Sequence, residues 1–167
     1  MVINGLEEKG IIGRYAIGGG IAAVYYIEPV LTYDLDIFFI PADKDERLAV
    51  LSPIYDYLGK KNYRADKEHI IIEGIPVQFI PVYNELIKEA VETAGEYKYQ
   101  NTYTKIILPE YLMAIMLQTF RAKDRERILR FIEEAEIDKE RLADVLQRHG
   151  MEEKYKQFRE KYYEKPD

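Results

Sequence analysis

The pattern of apolar and polar positions divides the chain into a mixed α/β front and a helical rear. Up to residue 108, short apolar runs rich in β-branched and aromatic residues alternate with segments of helical spacing, which predicts a sheet flanked by helices. From Pro109 onwards only helical spacing remains. We therefore predict an α/β (α+β) fold with two units: residues 1–104 form the α/β core, and residues 105–167 form a helical region packed on it.

The individual elements follow from apolar runs, capping residues, glycines and prolines. Strands are predicted over residues 14–17, 35–40, 69–73 and 75–80, with one or two edge strands within 97–107. Helices of the front are predicted over 4–13, 21–27, 43–58 and 84–94, with Asn4 and Asn84 as N-caps and Pro53 bending or restarting the third helix. Helices of the rear are predicted over 110–121, from Asp124 onwards, over 138–150 and over 152–163.

Two aspartates alternate along the second predicted strand. Asp34 and Asp36 are two positions apart, so both side chains leave the same face while Leu35 and Ile37 point to the other face. Neighbouring carboxylates repel each other unless a cation joins them. A hard divalent cation such as Mg²⁺, or Mn²⁺, binds carboxylate oxygens together with phosphate oxygens. The spacing therefore predicts a metal site, with a charged strand edge that discourages aggregation as the alternative.

Three consecutive glycines precede these acids, at the end of the first predicted strand. Gly18, Gly19 and Gly20 turn the chain into the helix that is predicted to follow. Glycine lets backbone N–H groups approach a phosphate closely, and the positive end of the helix dipole favours the same anion. A tightly packed strand-to-helix corner would also use glycine. Beside the two carboxylates, the turn predicts a phosphate-binding site next to a metal site.

The glycines and the acids together resemble the signature of the nucleotidyltransferase superfamily that contains DNA polymerase β. In that signature an apolar residue and Gly-Gly or Gly-Ser precede a short helix and then Asp-x-Asp. Here Gly19 and Gly20 are followed by residues 21–33 and then by Asp34. The resemblance is specific in the first half of the chain and looser after residue 108.

A narrower resemblance is to the small branch of that superfamily typified by the AbiE-type toxins. Residues 15–39 look like that branch, which often carries Thr or Ser two residues before Asp-x-Asp, as Thr32 stands here. The branch also carries Arg-x-Lys-Asp on a later helix, and residues 121–125 read Arg-Ala-Lys-Asp-Arg. The resemblance thus extends from the front of the chain into the rear.

The resemblance implies a fold, an activity and a set of site residues. The fold is a nucleotidyltransferase-like mixed sheet flanked by helices and followed by a C-terminal helical bundle. The activity is Mg²⁺-dependent transfer of an NMP group from an NTP to an RNA, protein or small-molecule acceptor, with release of pyrophosphate. By the resemblance, the catalytic and metal-binding residues are Asp34 and Asp36, and the nucleotide-binding residues are Gly18, Gly19, Gly20, Thr32, Arg121 and Lys123.

One position departs from the family pattern. In relatives a third carboxylate on a neighbouring strand helps to bind a second metal, which activates the attacking hydroxyl, but the aligned residue here is Gln78. A neutral amide oxygen binds a hard cation more weakly than a carboxylate does. Three alternatives follow: Glu73 across the hairpin supplies the ligand, Gln78 serves as a neutral ligand, or the protein binds nucleotide without transferring it. The last alternative describes a catalytically degenerate or regulatory protein of the toxin–antitoxin type.

The charge distribution narrows the range of partners. Lys and Arg number 11 against 17 Asp and Glu in residues 1–120, and each class numbers 13 in residues 121–167. The front is therefore acidic, which argues against a broad surface for duplex nucleic acid and slightly against an RNA acceptor. Between residues 121 and 130, five cations stand against two acids. They form either a site for triphosphate or RNA backbone, or a solvated helix face.

The remaining composition disfavours several chemistries and indicates a location. The chain has no cysteine, which excludes disulfides and thiolate metal sites. It has only two histidines, His69 and His149, and we interpret His69 as a structural residue at a strand end. No secretion signal and no membrane span is evident, so we expect a cytoplasmic protein. The protein partner we expect is a toxin or antitoxin, or a second copy bound through the rear helices.

Overall fold

All described strands end by residue 106 and only helices follow, so the last strand crosses the predicted boundary between residues 104 and 105. The computed structural model describes residues 2–29, 31–42 and 49–164. The strands are β1 (Ile12–Ile17), β2 (Leu35–Pro41), β3 (Arg64–Asp66), β4 (His69–Ile72), β5 (Ile75–Pro81), β6 (Gly95–Tyr99) and β7 (Thr102–Ile106). The helices are α1 (Val2–Glu8), α2 (Gly19–Tyr26), α3 (Ser52–Lys60), α4 (Glu85–Glu92), α5 (Pro109–Thr119), α6 (Ala122–Glu134), α7 (Lys139–Arg148) and α8 (Glu152–Tyr162).

The strands form one mixed sheet in the order β3–β4–β5–β2–β1–β7–β6. β2 lies at the centre, antiparallel to β1 and parallel to β5, and β7 runs parallel to β1. In the β1–β2 pair Ile17 lies opposite Ile37, so the last residue of β1 is beside the start of β2. The glycines that follow β1 and the acids at the start of β2 therefore meet at one edge of the sheet.

Helices cover the sheet and connect the front to the rear. α4 packs on β1 and β2, α1 packs on β1, and α2 packs on β2 and on α5. α4 begins at its N-cap Asn84, whose side-chain oxygen accepts a hydrogen bond from the N–H of Ile87 at 2.8 Å. Its buried residues are spaced to form one apolar stripe that faces the core: Leu86, Ile87, Ala90 and Val91.

Some helix boundaries differ from the predictions for local reasons. Asn4 lies within α1 rather than at its N-cap, and its amide donates a hydrogen bond to the carbonyl of Tyr103 at 2.9 Å. α3 begins at Ser52 with Pro53 in its first turn, where the missing N–H of proline has no intrahelical partner to lose. The first part of the helix predicted over 43–58 lies outside the described residues.

Two strands and one helix start also differ from the predictions. β3 has three exposed residues, so it lacks the apolar alternation by which a strand can be predicted. β7 pairs with β1 as well as with β6, so it is an interior strand and β6 alone forms that edge of the sheet. α6 begins at Ala122 rather than at Asp124, which is its third residue.

The rear helices are attached to the front through α5. α5 contacts α2, α4, α6 and α7, and most of its residues are buried. Glu110 in its first turn is 2 % exposed and accepts a hydrogen bond from the N–H of Asp138 at 2.8 Å, with Arg141 3.5 Å away. This carboxylate fixes the α6–α7 connection onto α5. Within the part of the chain that the structure describes, no helix has the length and apolarity needed to cross a bilayer.

Candidate functional site

A cleft opens where the end of β1, the start of β2 and the α5–α6 connection meet. Its volume is about 690 Å³. Six of the residues predicted from the sequence line it from the front: Gly19, Gly20, Thr32, Asp34, Asp36 and Gln78. Arg121 and Lys123 line it from the rear. The cleft therefore brings together predicted residues from both parts of the chain.

The turn formed by Gly18, Gly19 and Gly20, here called the glycine corner, packs closely against β2. Gly18 donates its N–H to the carbonyl of Asp36 at 3.0 Å, and a Cβ on Gly18 would lie 2.4 Å from an aromatic ring of β2. Gly19 has a φ of +58°, and a Cβ there would lie 1.7 Å from Asp36 Oδ2. A Cβ on Gly20 would lie 2.5 Å from Thr32 Oγ1. Gly18 is therefore packed against β2 and is not among the residues that line the cleft, whereas Gly19 and Gly20 line it and leave room for Asp36 and Thr32.

The N-terminus of α2 lies at the same corner. The first bond of the helix runs from the N–H of Ala22 to the carbonyl of Gly18 at 3.2 Å. The N–H groups of Gly19, Gly20 and Ile21 therefore have no acceptor within the helix. Because Gly19 and Gly20 line the cleft, the positive end of the helix dipole is available to an anion there.

Asp34 and Asp36 are both half-buried, and the side chain of Asp34 is 41 % exposed. Burial raises the pKa of the Asp36 carboxyl and the charge of Asp34 raises it further, while Lys123, Arg121 and Arg127 act in the opposite direction. No donor among the described residues forms a hydrogen bond with the Asp36 carboxylate. The cleft therefore contains negative charge that the described part of the protein does not neutralise at close range.

The two carboxylates fit a hard divalent cation. Such a cation would relieve the repulsion that raises the pKa of Asp36, because it attracts both carboxylates. Among the described residues, no three His, Asp or Glu side chains already converge on one cation position. A cation held by Asp34 and Asp36 would take its other ligands from water or phosphate, as Mg²⁺ does when it binds through one or two carboxylates.

The two candidates for the third ligand lie in different places. Gln78 lies beside Asp36 in the β2–β5 register and lines the cleft, where its side chain offers an amide oxygen. Glu73 lies in the β4–β5 turn with a φ of +51° and is exposed. Its carboxylate accepts a hydrogen bond from the hydroxyl of Tyr63 and is not among the groups that line the cleft. Of the two, Gln78 is therefore the residue beside the paired aspartates.

The five cations of residues 121–130 do not form one cluster. Lys123 and Arg127 are four positions apart on α6, so they share a helix face, and both line the cleft. Arg125 donates a hydrogen bond to the backbone carbonyl that follows α5, at 2.9 Å. Arg130 forms an ion pair with the acid four positions further along α6, at 2.7 Å. Some of the cations between residues 121 and 130 therefore line the cleft, and the others form contacts elsewhere.

Arg121 has a structural partner of its own in Asp124. The Asp124 carboxylate, 1 % exposed, accepts hydrogen bonds from Arg121 Nε at 2.8 Å, from the Arg121 N–H at 3.0 Å and from the Thr119 hydroxyl at 2.8 Å. Burial raises the pKa of Asp124, but the hydrogen bonds from Arg121 and Thr119 outweigh it and hold that pKa below the usual range. Asp124 therefore closes the α5–α6 corner, while Lys123 between them faces the cleft.

Four further lining residues offer polar or aromatic groups that the sequence analysis does not name: Tyr33, Phe38, Tyr83 and Thr119. Arg127 belongs to the predicted cationic run, and its spacing of four from Lys123 places both on one face of a helix. Tyr33 and Tyr83 are 77 % and 58 % exposed and precede or follow strands, where no periodicity marks a residue. Their position at the cleft is a product of the tertiary fold.

Comparisons with known proteins address the fold. No protein-family model matches the chain, and no curated protein matches it by sequence. Among solved structures, the chain is similar to an antigenic nucleotidyltransferase-like protein from Paracoccidioides brasiliensis, with a TM-score of 0.53 and 16% identity over 93% of this chain and 89% of that chain. It is also similar to ANT(2″)-Ia in complex with adenylyl-2″-tobramycin, with a TM-score of 0.46 and 17% identity over 96% and 94% of the two chains.

The first of these similarities bears on the architecture of the chain. At this level of identity it shows the fold alone, and the narrower resemblance to AbiE-type toxins stays a prediction. The predicted fold class is confirmed, because a seven-stranded mixed sheet carries helices on its faces and is followed by a helical rear. This chain therefore has a nucleotidyltransferase-like fold.

Proposed function

We propose that this protein is a nucleotidyltransferase that uses a divalent cation to move an NMP group from an NTP to an acceptor, with release of pyrophosphate. The proposal is carried by the cleft of about 690 Å³, which Asp34 and Asp36 line together with the N-terminus of α2 and the cations Lys123 and Arg127. A volume of this size is typical of sites for small molecules and cofactors. The nucleotidyltransferase-like fold supports the same activity.

Each group in the cleft has a role in this reaction. Asp34 and Asp36 hold Mg²⁺ or Mn²⁺, which when bound neutralises charge on the phosphate oxygens. The free N–H groups at the start of α2 bind phosphate oxygens at the positive end of the helix. Lys123 and Arg127 place positive charge where the triphosphate lies and where the departing pyrophosphate accumulates charge. The protein thus acts mainly by positioning the nucleotide and by electrostatic stabilisation.

Thr32 and Arg121 have supporting roles. Thr32 packs over the glycine corner, since a Cβ on Gly20 would lie 2.5 Å from its Oγ1, so its hydroxyl lies next to the proposed phosphate position. Arg121 is held by Asp124 but its side chain is 60 % exposed and lines the cleft. We infer that Arg121 contributes long-range positive charge while Lys123 and Arg127 make the direct contacts.

The acceptor in this proposal is an RNA, a protein side chain or a small hydroxylated molecule. The excess of acids in residues 1–120 weighs against RNA, because a polyanion would approach an acidic front. The resemblance to toxins weighs in favour of RNA or protein. Labelling of each acceptor class with the same NTP distinguishes them directly.

A second candidate function is supported by one observation. Gln78 stands beside Asp36 at the position where a third carboxylate is expected. A neutral amide is a poor ligand for a second hard cation, so the protein in this alternative binds nucleotide without transferring it. It then acts as a regulatory member of a toxin–antitoxin pair.

Nucleotide titrations test the proposed function. Calorimetry and thermal-shift assays with each NTP, with and without Mg²⁺ or Mn²⁺, should show binding that needs the cation and disappears in Asp36→Asn. Binding that is unchanged in that variant would contradict the metal site. Incubation of labelled NTP with total RNA, protein or small alcohols then measures transfer. Cation-dependent binding without any transfer would favour the second candidate.

A further inference from the structure

His69 lies in the same row of the sheet as the metal site. β4 pairs with β5 so that Ile70 lies opposite Val77, and one position earlier the same register sets His69 beside Gln78. β5 in turn sets Gln78 beside Asp36. Because laterally paired residues share a face of the sheet, these three side chains form one polar row across β4, β5 and β2. Gln78, at the position where a third carboxylate is expected, is in the middle of this row, and the imidazole of His69 is at its end.

The nitrogen Nε2 of His69 faces a carboxylate without forming a hydrogen bond. It lies 3.6 Å from Asp34 Oδ2. It is screened from solvent and forms no hydrogen bond with any described residue. Burying a polar nitrogen without a partner is unfavourable, and such groups in native proteins usually have a function or an additional ligand. Packing alone therefore does not explain why this nitrogen faces Asp34.

The separation of the two atoms distinguishes between two roles. A hydrogen bond between an imidazole and a carboxylate holds nitrogen and oxygen about 2.7–3.2 Å apart, which is shorter than the observed 3.6 Å. Two ligand atoms bound to one cation at about 2.1–2.2 Å are held about 3.0–3.6 Å apart, depending on the angle between the bonds. The observed spacing fits a shared cation better than a hydrogen bond.

We propose that His69 Nε2 and Asp34 Oδ2 bind a second divalent cation, in place of the carboxylate that is absent at Gln78. The inference rests on the proposed function, because this cation belongs to the same site. Asp34 then contributes to two cation positions, with Asp36 on one side and His69 on the other. Water and the reactants supply the remaining ligands, since no third acid or histidine of the described residues converges there.

Asp34 and His69 both line a second cavity of about 370 Å³, which shares Tyr33 and Asp34 with the cleft and is also lined by Asp66, Lys67 and Glu68. Because His69 Nε2 is screened from solvent, the cation would reach the pair from the side of the more exposed Asp34 carboxylate. Imidazole nitrogen prefers transition-metal ions to the harder Mg²⁺. The second position should thus favour Mn²⁺ over Mg²⁺.

Mn²⁺ alone is the probe that tests this assignment. The chain contains two histidines, so pulsed EPR of Mn²⁺ bound to untagged protein reports imidazole coordination through its nitrogen modulation, and two variants identify the source. We expect the modulation in wild type and in His149→Gln, and its loss in His69→Gln. Bound Mn²⁺ without the modulation in wild type, or modulation that survives in His69→Gln, overturns the proposal. The wild-type spectrum decides even where a variant folds poorly.

Metal affinities separate a ligand from a residue that only orients Asp34. His69→Gln should weaken Mn²⁺ binding about tenfold or more, with a smaller effect on Mg²⁺. His69→Asp should reduce the preference for Mn²⁺ over Mg²⁺, because it replaces nitrogen by a carboxylate oxygen, which suits both ions. An equal loss for both metals together with no nitrogen modulation in wild type assigns His69 to positioning and overturns the proposal.

The same samples separate this inference from the proposed function. Nitrogen modulation that depends on His69, without transfer of an NMP group to any acceptor, supports the cation site and contradicts the proposed activity. Transfer without the modulation supports the activity and overturns the cation site. Failure of the wild type to bind Mn²⁺ contradicts both.

Discussion

Two carboxylates that border the cleft differ in how the fold treats them. Asp124 on the rear side is buried and accepts hydrogen bonds from Arg121 and from Thr119. Asp36 on the front side is half-buried, stands next to a second acid and accepts no hydrogen bond from the described residues. The pKa of Asp124 is held below the usual range, whereas burial and Asp34 raise that of Asp36.

This contrast separates a structural acid from a candidate functional one within a single cleft. A buried charge is unfavourable unless it is paired and hydrogen-bonded. The fold satisfies that condition for Asp124 and leaves it unsatisfied for Asp36. Unsatisfied charge with a perturbed pKa is typical of binding and catalytic sites. Changes at the two acids should therefore separate function from stability.

The largest effect is expected from Asp36→Asn on function. Removing the charge removes a ligand of the cation, so cation-dependent nucleotide turnover should fall about 100- to 1,000-fold, as for other groups that stabilise charge at the reacting centre. Measurement of nucleotide binding and NMP transfer in Mg²⁺ checks this expectation. Glu126→Gln, which removes an exposed acid from α6 outside the cleft, is the matched control and should retain wild-type values. Retention of full turnover in Asp36→Asn would contradict the assignment of that acid.

The second effect is expected from Asp124→Asn on stability. The variant loses charge-assisted hydrogen bonds to Arg121 and leaves an amide where a carboxylate accepted four hydrogen bonds. We expect a loss of about 1.5–3 kcal/mol in the free energy of unfolding, measured by urea denaturation. Asp36→Asn in the same assay should cause no such loss. Equal destabilisation by the two substitutions would remove the distinction between the two acids.

A smaller effect should distinguish Lys123 from Arg125, which are both cations of α6. Lys123→Ala should weaken cation-dependent NTP binding about tenfold, the scale of one charge-assisted contact at a partly exposed site. Arg125→Ala is the matched control, because that guanidinium donates to a backbone carbonyl and is not among the residues that line the cleft. Calorimetric titration with one NTP in Mg²⁺ compares the two. A loss of affinity in Arg125→Ala equal to that in Lys123→Ala would mean that the whole charged run acts as one surface.

Sequence reasoning could identify the parts of this site that depend on short spacings. Asp34 immediately precedes β2 and Asp36 is its second residue, so their spacing of two brings both to the cleft. The glycine corner lies beside them because β1 and β2 are neighbours in the sheet. Arg127 and His69 reach the site from other elements. Nothing in a linear pattern states which helix face meets the cleft, or that β4 extends the row of Asp36 and Gln78.

The dependence of side-chain positions on tertiary contacts also explains why two of the predictions differ from the structure. Asp124 has the position of an N-cap in the sequence, but the helix begins two residues earlier and Asp124 reaches back to the N–H of Arg121 from the third position. Glu73 has the charge expected of the third ligand, yet it lies in an exposed turn bonded to Tyr63. In both cases residue type is predictable from the sequence, whereas the direction of the side chain depends on tertiary contacts.

The smallest effect, and the one that most directly compares the two acids, is the pH dependence of stability without divalent cations. Asp124 has a lowered pKa in the folded state, so its contribution is present above the ordinary aspartate pKa of about 3.9 and is lost as the pH falls through the folded value. Asp36 has a raised pKa, so its ionised form opposes folding, and stability falls as the pH rises through the folded value.

Asp124→Asn should therefore be less stable than wild type at neutral pH, and Asp36→Asn should be more stable. The difference for Asp36→Asn should shrink toward zero in acid, where that carboxylate is protonated, whereas the difference for Asp124→Asn should shrink only as the pH falls toward the lowered folded pKa of Asp124. Urea denaturation in EDTA, at several values from about pH 3 to pH 7, measures both curves against wild type. Differences of the same sign at neutral pH would show that the fold compensates Asp36 as fully as it compensates Asp124. The cleft would then lack the unneutralised charge that a bound cation requires.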